Sequence, residues 1–368
     1  MNAAPPSASP FKIIDLFAGP GGLDQAARQL KVPSMGIEWD KDACATRAAN
    51  GLPTESGDVR DYGPTKFGED FNVLAGGPPC QTFTVAGRGS GRRALDHVLT
   101  FADRLRNRDP LAQVREDLAT LKDEETDKHD ERTGLVLEPL RWALEAVDAG
   151  RPFQVIVLEQ VPAVLPVWQR YAQILRAEGY AVASPQVLHT EEYGVPQTRR
   201  RAILIARWTG EGRLLPGEPC MPEPTHGRYH KRKSRHDHGL GLQPWVSMKD
   251  VLSERDDPFT VVSNYGTGGD PKARGQRGSH EPSATVTGKI SRNRIVGADG
   301  QDRPRLTESE AGRLQTFPAV PDWLWAGAAV AQQIGNAVPP RLGMHVLAAA
   351  LGFERERLSG ALKEHYSY

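Results

Sequence analysis

Cys80 ends the stretch Gly76-Gly77-Pro78-Pro79-Cys80-Gln81, directly after the apolar run Phe71-Asn72-Val73-Leu74-Ala75. The run reads as a short buried strand that the glycines and prolines stop, leaving the cysteine on the loop beyond its carboxyl end. A thiol titrates near neutral pH and its thiolate is a strong nucleophile, so a cysteine on a stiff turn suits covalent catalysis. A packed, inert small residue is the plain alternative. Glu159 closes a second apolar run, Phe153 to Leu158, and stands before Gln160-Val161-Pro162. Poor hydration there would raise a carboxyl pKa and let it hold or donate a proton, unless it only caps a helix. Gln197, Arg199 and Arg201 alternate just before the apolar Ala202 to Ala206. Alternation puts all three on one side of an extended chain, as a clamp for an acceptor, phosphate or carboxylate would need, although they would equally decorate an edge.

These groups need a frame that collects strand ends. Phe11 to Phe17 reads as a first strand, followed by the turn Ala18-Gly19-Pro20-Gly21-Gly22 and a helix with Leu23, Ala26, Ala27 and Leu30 on one face. Glycines at a helix N-terminus let a ligand approach the backbone, the usual nucleotide site of α/β folds. Asp24 stands where the dinucleotide fingerprint has its third glycine, which disfavours a nicotinamide or flavin cofactor. A second strand, Ser34 to Asp40, carries Glu38 about twenty residues on, the distance of a ribose-binding acid, and Trp39 could stack on an adenine. Asp58 ends a third unit and could accept from an adenine amino group. Glu38 and Trp39 would serve as plain surface groups too. Tyr180 to Leu188 reads as a sixth strand. Successive strand ends bearing ligand-binding and reacting groups describe an open α/β sheet.

Composition leaves the partner open. The chain has 368 residues, 25% charged and with zero formal net charge, and one large plus one smaller domain is expected. Cys44, Cys80 and Cys220 are too few for a disulfide framework, which favours a reducing interior. Residues 1–10 have neither a basic start nor an apolar core and read as a disordered lead-in; no run is long enough to cross a bilayer, so a cytoplasmic place is expected. From Arg92 to Arg132 strong charge with sparse leucines reads as an exposed helical excursion or mobile flap. After Arg207 the regular rhythm gives way to Pro, Gly, His and basic residues. The segment His226 to His236, with Arg228, Lys231, Arg232, Lys233 and Arg235, suits phosphate contacts or a solvated linker. The irregular spacing of its histidines relative to Cys220 makes a metal site unexpected.

The ordered motifs together resemble the cytosine-C5 DNA methyltransferases. Asp15 to Gly22, Glu38-Trp39-Asp40, Asp58, Pro79-Cys80-Gln81, Gln197 to Arg201, Arg313 to Pro318 and Gly335 to Pro340 match that family's elements in order, and only the charged insertion and the irregular stretch of about a hundred positions after Arg207 fall outside. Gln160 stands where the family usually has Asn. The resemblance implies a Rossmann-like class I methyltransferase domain with a smaller, irregular target-recognition domain. It implies a catalytic and cofactor domain over 11–206 with the insertion at about 92–132, target recognition over 207–325, and a return to the first domain over 326–368. It also implies Cys80 as the nucleophile adding to C6, Glu159 as acid, Arg199 near the base carbonyl, Arg201 supporting the Glu159 and Cys80 loops, and Gln81 beside them. S-adenosylmethionine would be held by Phe17, Gly19, Gly22, Leu23, Glu38, Trp39, Asp58, Pro78, Asn336 and Ala337. Double-stranded DNA is the implied partner, with a flipped cytosine; a companion restriction endonuclease and a monomeric state are further expectations. A tRNA cytosine methyltransferase is the alternative, although the Cys-Phe-Thr tripeptide of that branch does not occur; an inactive DNA-binding accessory subunit is the other.

Overall fold

Eight strands form the main sheet of the computed structural model, which describes residues 9–79, 90–120, 122–123, 128–129, 134–237, 239–255, 258–264 and 275–368. Cys80 and Gln81 lie outside the described residues. Strands β1 (Ile13–Leu16), β2 (Ser34–Glu38), β3 (Thr54–Ser56) and β4 (Val73–Gly76) alternate with helices α1 (Gly22–Gln29) and α2 (Lys41–Ala49). Helices α3 (Ser90–Arg106) and α4 (Leu111–Thr120) follow, then a small ribbon of β5 (Lys122–Asp123) and β6 (Lys128–His129). After α5 (Glu138–Asp148), β7 (Val155–Gln160) and α6 (Leu165–Ala177) come β8 (Tyr180–Val182), β9 (Gln186–His189) and β10 (Arg200–Trp208).

The sheet order is β3-β2-β1-β4-β7-β10-β8, with β9 also paired to β10. β1 to β4 and β7 run parallel, so their carboxyl ends share one edge; β10 runs antiparallel to β7, which brings its amino end, Arg200 and Arg201, to that same edge. Chain order reverses between β1 and β4, the place where such sheets open a ligand crevice.

Burial on both faces explains the continuous apolar strands. Ile14, Leu16, Leu74, Ile156 and Leu158 pack with Trp142, Trp168 and Tyr171 on one side. Ile13, Val73, Ala75, Val155 and Val157 pack on the other against Leu23, Ala26 and Ala27 of α1 and against α10 (Pro340–Leu351), through Leu342, Met344 and Leu347. A Cβ on Gly343 would sit 2.8 Å from Ala26 Cβ, so the glycine lets α1 and α10 approach closely.

A second core forms around the sheet β12-β11-β13-β14, from α7 (Met248–Val251), β11 (Phe259–Val262), β12 (Gln276–Gly278), β13 (Arg294–Gly297), β14 (Asp302–Arg303) and α8 (Glu308–Leu314). Thr307 and Glu310 close the expected capping box at α8. Helix α9 (Val330–Asn336) gives Val330 and Ile334 to this second core, while Ala326 and Ala329 just before it bond to Thr46 and Asp42 of α2, and α10 packs in the first core. The chain ends in α11 (Arg355–His365).

Two expectations change. The charged region is not a solvated excursion over its helical part: Val98, Phe101, Ala102 and Leu105 of α3 and Val114 of α4 are buried in the main core. The apolar stripe is narrow but correctly spaced for a helix, and the charges that hid it are spent in pairs, Arg104 with Asp109 and Asp117, and Arg108 with Asp148 and Glu178. The expected sixth strand is two, β8 and β9, divided at Ala183-Ser184-Pro185 because proline carries no ladder donor.

Candidate active site

A cavity of about 590 Å³ opens at the carboxyl edge of the sheet beside the β1 and β4 ends. Its floor is the glycine turn. Phe17, Gly19 and Gly21 have φ of 59°, 55° and 102°, a tight left-handed path that delivers the chain into the first turn of α1. Gly22 has no room for a side chain, since a Cβ there would lie 2.1 Å from Val338 O. The closing turn after α9 thus packs directly against the first turn of α1, and Asn336, Ala337 and Val338 become a cavity wall opposite Gly19, Gly22 and Leu23.

Glu38 ends β2 with its carboxylate held by three backbone N–H donors: Gly19 N at 2.7 Å, Trp39 N at 2.9 Å and Asp40 N at 2.8 Å. Burial pushes its pKa up, and those donors oppose the rise. Trp39 lines the cavity yet is 66% exposed, an apolar face open to a ligand. Asp58 also lines it, with Arg60 Nη2 at 2.6 Å from Oδ2. Burial would raise the Asp58 pKa, but the Arg60 hydrogen bonds outweigh it and hold the carboxyl below its ordinary value. Pro78 does not line the cavity; its neighbour Pro79 does.

The other end of the cavity collects Gly76, Gly77, Pro79, Glu159, Gln160 and Arg201. A Cβ on Gly77 would be 3.7 Å from Glu159 Oε2, so the glutamate faces the backbone that leads to Cys80. Arg201 Nε lies 2.7 Å from Glu159 Oε1, with both side chains only 13% and 14% exposed. Burial lowers the Arg201 pKa and the Glu159 carboxylate works against that. Gln160 Nε2 donates to Pro78 O, and Val161 N donates to Gln160 Oε1. The longer amide at 160 therefore ties the end of β7 to the chain two residues before Cys80.

Arg199 is elsewhere. It precedes β10, is 2% exposed, does not line the cavity, and donates to the carbonyls of Val286, Gly335 and Ala337. The arginine at the Glu159 end of the cavity is Arg201 instead, because the antiparallel pairing of β10 with β7 sets Arg201 next to Glu159 while the chain before Arg200 leaves the β7 ladder.

Asp15 heads the Asp15 to Gly22 motif but is given no role by it. It lines the cavity at 4% exposure, and burial first, then Asp24, drive its pKa well up while Arg47 opposes. An acid amid Ile13-Ile14 and Leu16-Phe17 was the available signal. In the basic loop Arg228, Lys231, Arg232 and Lys233 are exposed. Arg228 Nη2 lies 2.6 Å from His189 Nε2, and Arg235 is paired with Asp250 at 2.6 Å.

An open, parallel-rich sheet with a glycine turn, a strand-end acid and a nucleotide-sized cavity at the switch point defines a Rossmann-like α/β enzyme domain. The family model described as C-5 cytosine-specific DNA methylase matches residues 11–131 and 124–351. The chain belongs to that family, and it is a DNA cytosine methyltransferase. Type II methyltransferase M.Eco47II of Escherichia coli is 27% identical over 91% of this chain and 78% of its own length. M1.HphI of Haemophilus parahaemolyticus is 28% identical over 92% and 86%. Among solved structures, the S. pombe Dnmt2 methyltransferase superposes with a TM-score of 0.57 at 14% identity, covering 93% of this chain and 98% of that one. Among the described residues no helix is long and apolar enough to cross a membrane.

Proposed function

We propose that this enzyme transfers a methyl group from S-adenosylmethionine to C5 of a cytosine turned out of a specific duplex DNA sequence, through a covalent bond between Cys80 and C6. The observation that carries the reading is the Glu159–Arg201 pair facing the strand end that leads to Cys80, in one cavity with the glycine turn.

The residues fit the cofactor. Gly22 with no room for a side chain, the Glu38 carboxylate and the open face of Trp39 suit a nucleoside, with Asp58, Phe17, Leu23, Asn336 and Ala337 around it. When bound, S-adenosylmethionine supplies an electrophilic methyl group. Cytosine C5 is too poor a nucleophile to take it unaided. Addition of the Cys80 thiolate to C6 pushes the C5–C6 electrons toward N3, which takes a proton from Glu159, and the ring becomes an enamine nucleophilic at C5. Arg201 holds Glu159 in place and neutralises charge at the base carbonyl. After methylation the C5 proton passes to water, the C5–C6 double bond re-forms as the C6–S bond breaks and expels the Cys80 thiolate, and N3 returns its proton to Glu159. C6 is inaccessible in a stacked duplex, so the base is extruded.

The second core with its basic loop, through Arg228, Lys231, Arg232, Lys233 and Arg235, supplies phosphate contacts and target reading, with Gln81 in the nucleophile loop. The enzyme acts as a monomer in the cytoplasm, alongside a restriction endonuclease for the same site. The test is label transfer from tritiated S-adenosylmethionine to duplex DNA and to tRNA, with bisulfite sequencing of the product and trapping on 5-fluorocytosine duplex. Expected are 5-methylcytosine in DNA at one sequence and an adduct that Cys80→Ser abolishes. Labelling of tRNA alone, or an adduct surviving Cys80→Ser, overturns the reading.

A further inference from the structure

Three motifs that look separate in sequence meet in one buried polar joint outside the cavity. Residues Pro196 to Arg199 run beside Ser283 to Val286 of the second core: Thr198 N donates to Ser283 O at 2.8 Å, Ser283 N to Pro196 O at 2.9 Å, and Thr285 Oγ1 to Thr198 O at 2.7 Å. Arg199 spans the gap from there to the cavity wall. One terminal nitrogen, Nη1, reaches both Val286 O (3.1 Å) and Gly335 O (3.0 Å), and Nη2 reaches Ala337 O (3.2 Å). Gln197, fully buried, accepts from Val286 N at 2.8 Å and donates to Gln315 Oε1 at 2.6 Å and Leu314 O at 3.0 Å. Gln315, also fully buried, passes the chain on to Ile334 O at 2.7 Å. Gly335 lies against Thr287 and Gly288, where a Cβ would stand 2.3 Å from Gly288 N.

A guanidinium this deeply buried carries a desolvation penalty, and burial together with the Arg201 charge pushes its pKa down, Glu159 opposing. Among the described residues no carboxylate bonds to it; three backbone carbonyls do, Val286 of the second core and Gly335 and Ala337 of the cavity wall. A charge held by carbonyl dipoles fixes the relative position of the segments that carry them, and a lysine, with a single ammonium on a flexible stem, does not reproduce that planar fork.

We propose that Arg199, with Gln197 and Gln315, is a positioning device that couples cofactor binding at the Gly335 to Ala337 wall to the orientation of the DNA-facing second core. The inference rests on the cavity being the cofactor site. A ligand that seats Gly335 and Ala337 then also seats Val286 and Leu314, because the same three side chains bridge them. Cofactor and DNA affinities are therefore linked, each raising the other by the same factor.

The test measures DNA affinity of the full chain with and without S-adenosylhomocysteine, and S-adenosylhomocysteine affinity with and without DNA, in wild type, Arg199→Lys and Gln315→Met. Amide hydrogen exchange of 283–288 is followed in parallel. Wild type is expected to show linkage of roughly 10-fold and slower exchange at 283–288 when S-adenosylhomocysteine is bound without DNA. The two variants are expected to bind each ligand alone within a few-fold of wild type but to bring the linkage factor near one. A merely structural role would shift the separate affinities and leave the factor intact, which overturns the proposal. The wild-type exchange measurement needs no variant to fold: cofactor binding with unchanged exchange at 283–288 also overturns it while leaving the cavity reading in place. Failure of wild type to bind S-adenosylhomocysteine at all removes the cavity reading itself.

Discussion

The sheet-edge cavity and the basic loop after Arg207 both gather polar side chains, but they are built in opposite ways. In the cavity nearly every polar group already has its position enforced: Glu38 by three N–H donors, Glu159 by Arg201, Gln160 by Pro78 and Val161. In the loop Lys231, Arg232 and Lys233 extend into solvent. A group fixed before the ligand arrives carries little ordering cost on binding and can stabilise charge where it develops. An exposed, flexible cation acts mainly through counterion release and is screened by salt. Loss of a cavity group should therefore be large and specific to one step, and loss of a loop group small and general.

The contrast between the two regions can be broken at its strongest point first. Glu159→Gln should lower kcat by ~10²–10⁴-fold, the usual worth of a positioned proton donor, with cofactor affinity nearly unchanged; single-turnover methylation and equilibrium titration separate the two. Gly22→Ala comes next, because its methyl must displace Val338 O, a backbone atom 2.1 Å away. We expect cofactor affinity to fall by about 100-fold and stability by about 1–3 kcal/mol, the range for overpacking, read by calorimetric titration and denaturant unfolding.

Glu191 tests the boundary between the two regions, since it is buried within range of the Arg228 charge with its pKa raised to about 7, by burial first and then by Glu192, against Arg228 and Arg277. The folded protein holds a proton there that the unfolded chain, with an ordinary value of 4.5, has released. Stability from this group is full below pH 4.5 and is lost as pH rises through 7. Glu191→Gln should remove that slope and leave the variant more stable than wild type above pH 7 by on the order of 3 kcal/mol; parallel unfolding curves across pH 4.5 to 8 would refute it.

Trp39→Ala should weaken cofactor binding by about 10-fold, the upper range of one aromatic contact, without changing kcat at saturation. The smallest effect at fixed salt belongs to Lys231→Ala, Arg232→Ala and Lys233→Ala combined. Affinity should fall similarly for target and random DNA, and the slope of log K against log salt should shrink by about 0.9 for each phosphate no longer neutralised. A sequence-dependent loss would place these residues among the base readers instead.

The strand-end groups were legible because their signals are local. Gly19, Gly22, Glu38, Trp39, Asp58 and Glu159 sit where a short apolar run meets a turn, and a parallel sheet puts all such places on one edge. The core helices α3 and α4 were not, because a narrow apolar stripe among many charges looks solvated until the charges are seen paired. The two arginines illustrate the limit most sharply. Alternation along an extended chain groups Arg199 with Arg201, but the strand begins only at Arg200, and the residue before it turns away to bridge two cores.

The order of motifs along the chain, by itself, determined the reaction family and most of the residues that surround its cavity, since strand ends, glycine turns and acids are fixed by neighbours a few positions away. Which arginine pairs with Glu159 in the cavity, and that Gln197, Arg199 and Gln315 form one joint, were decided only by tertiary structure. Arg199 meets Val286 across 87 positions and Gln197 meets Gln315 across 118, and no local pattern encodes the antiparallel return of β10 that sets Arg201 beside Glu159.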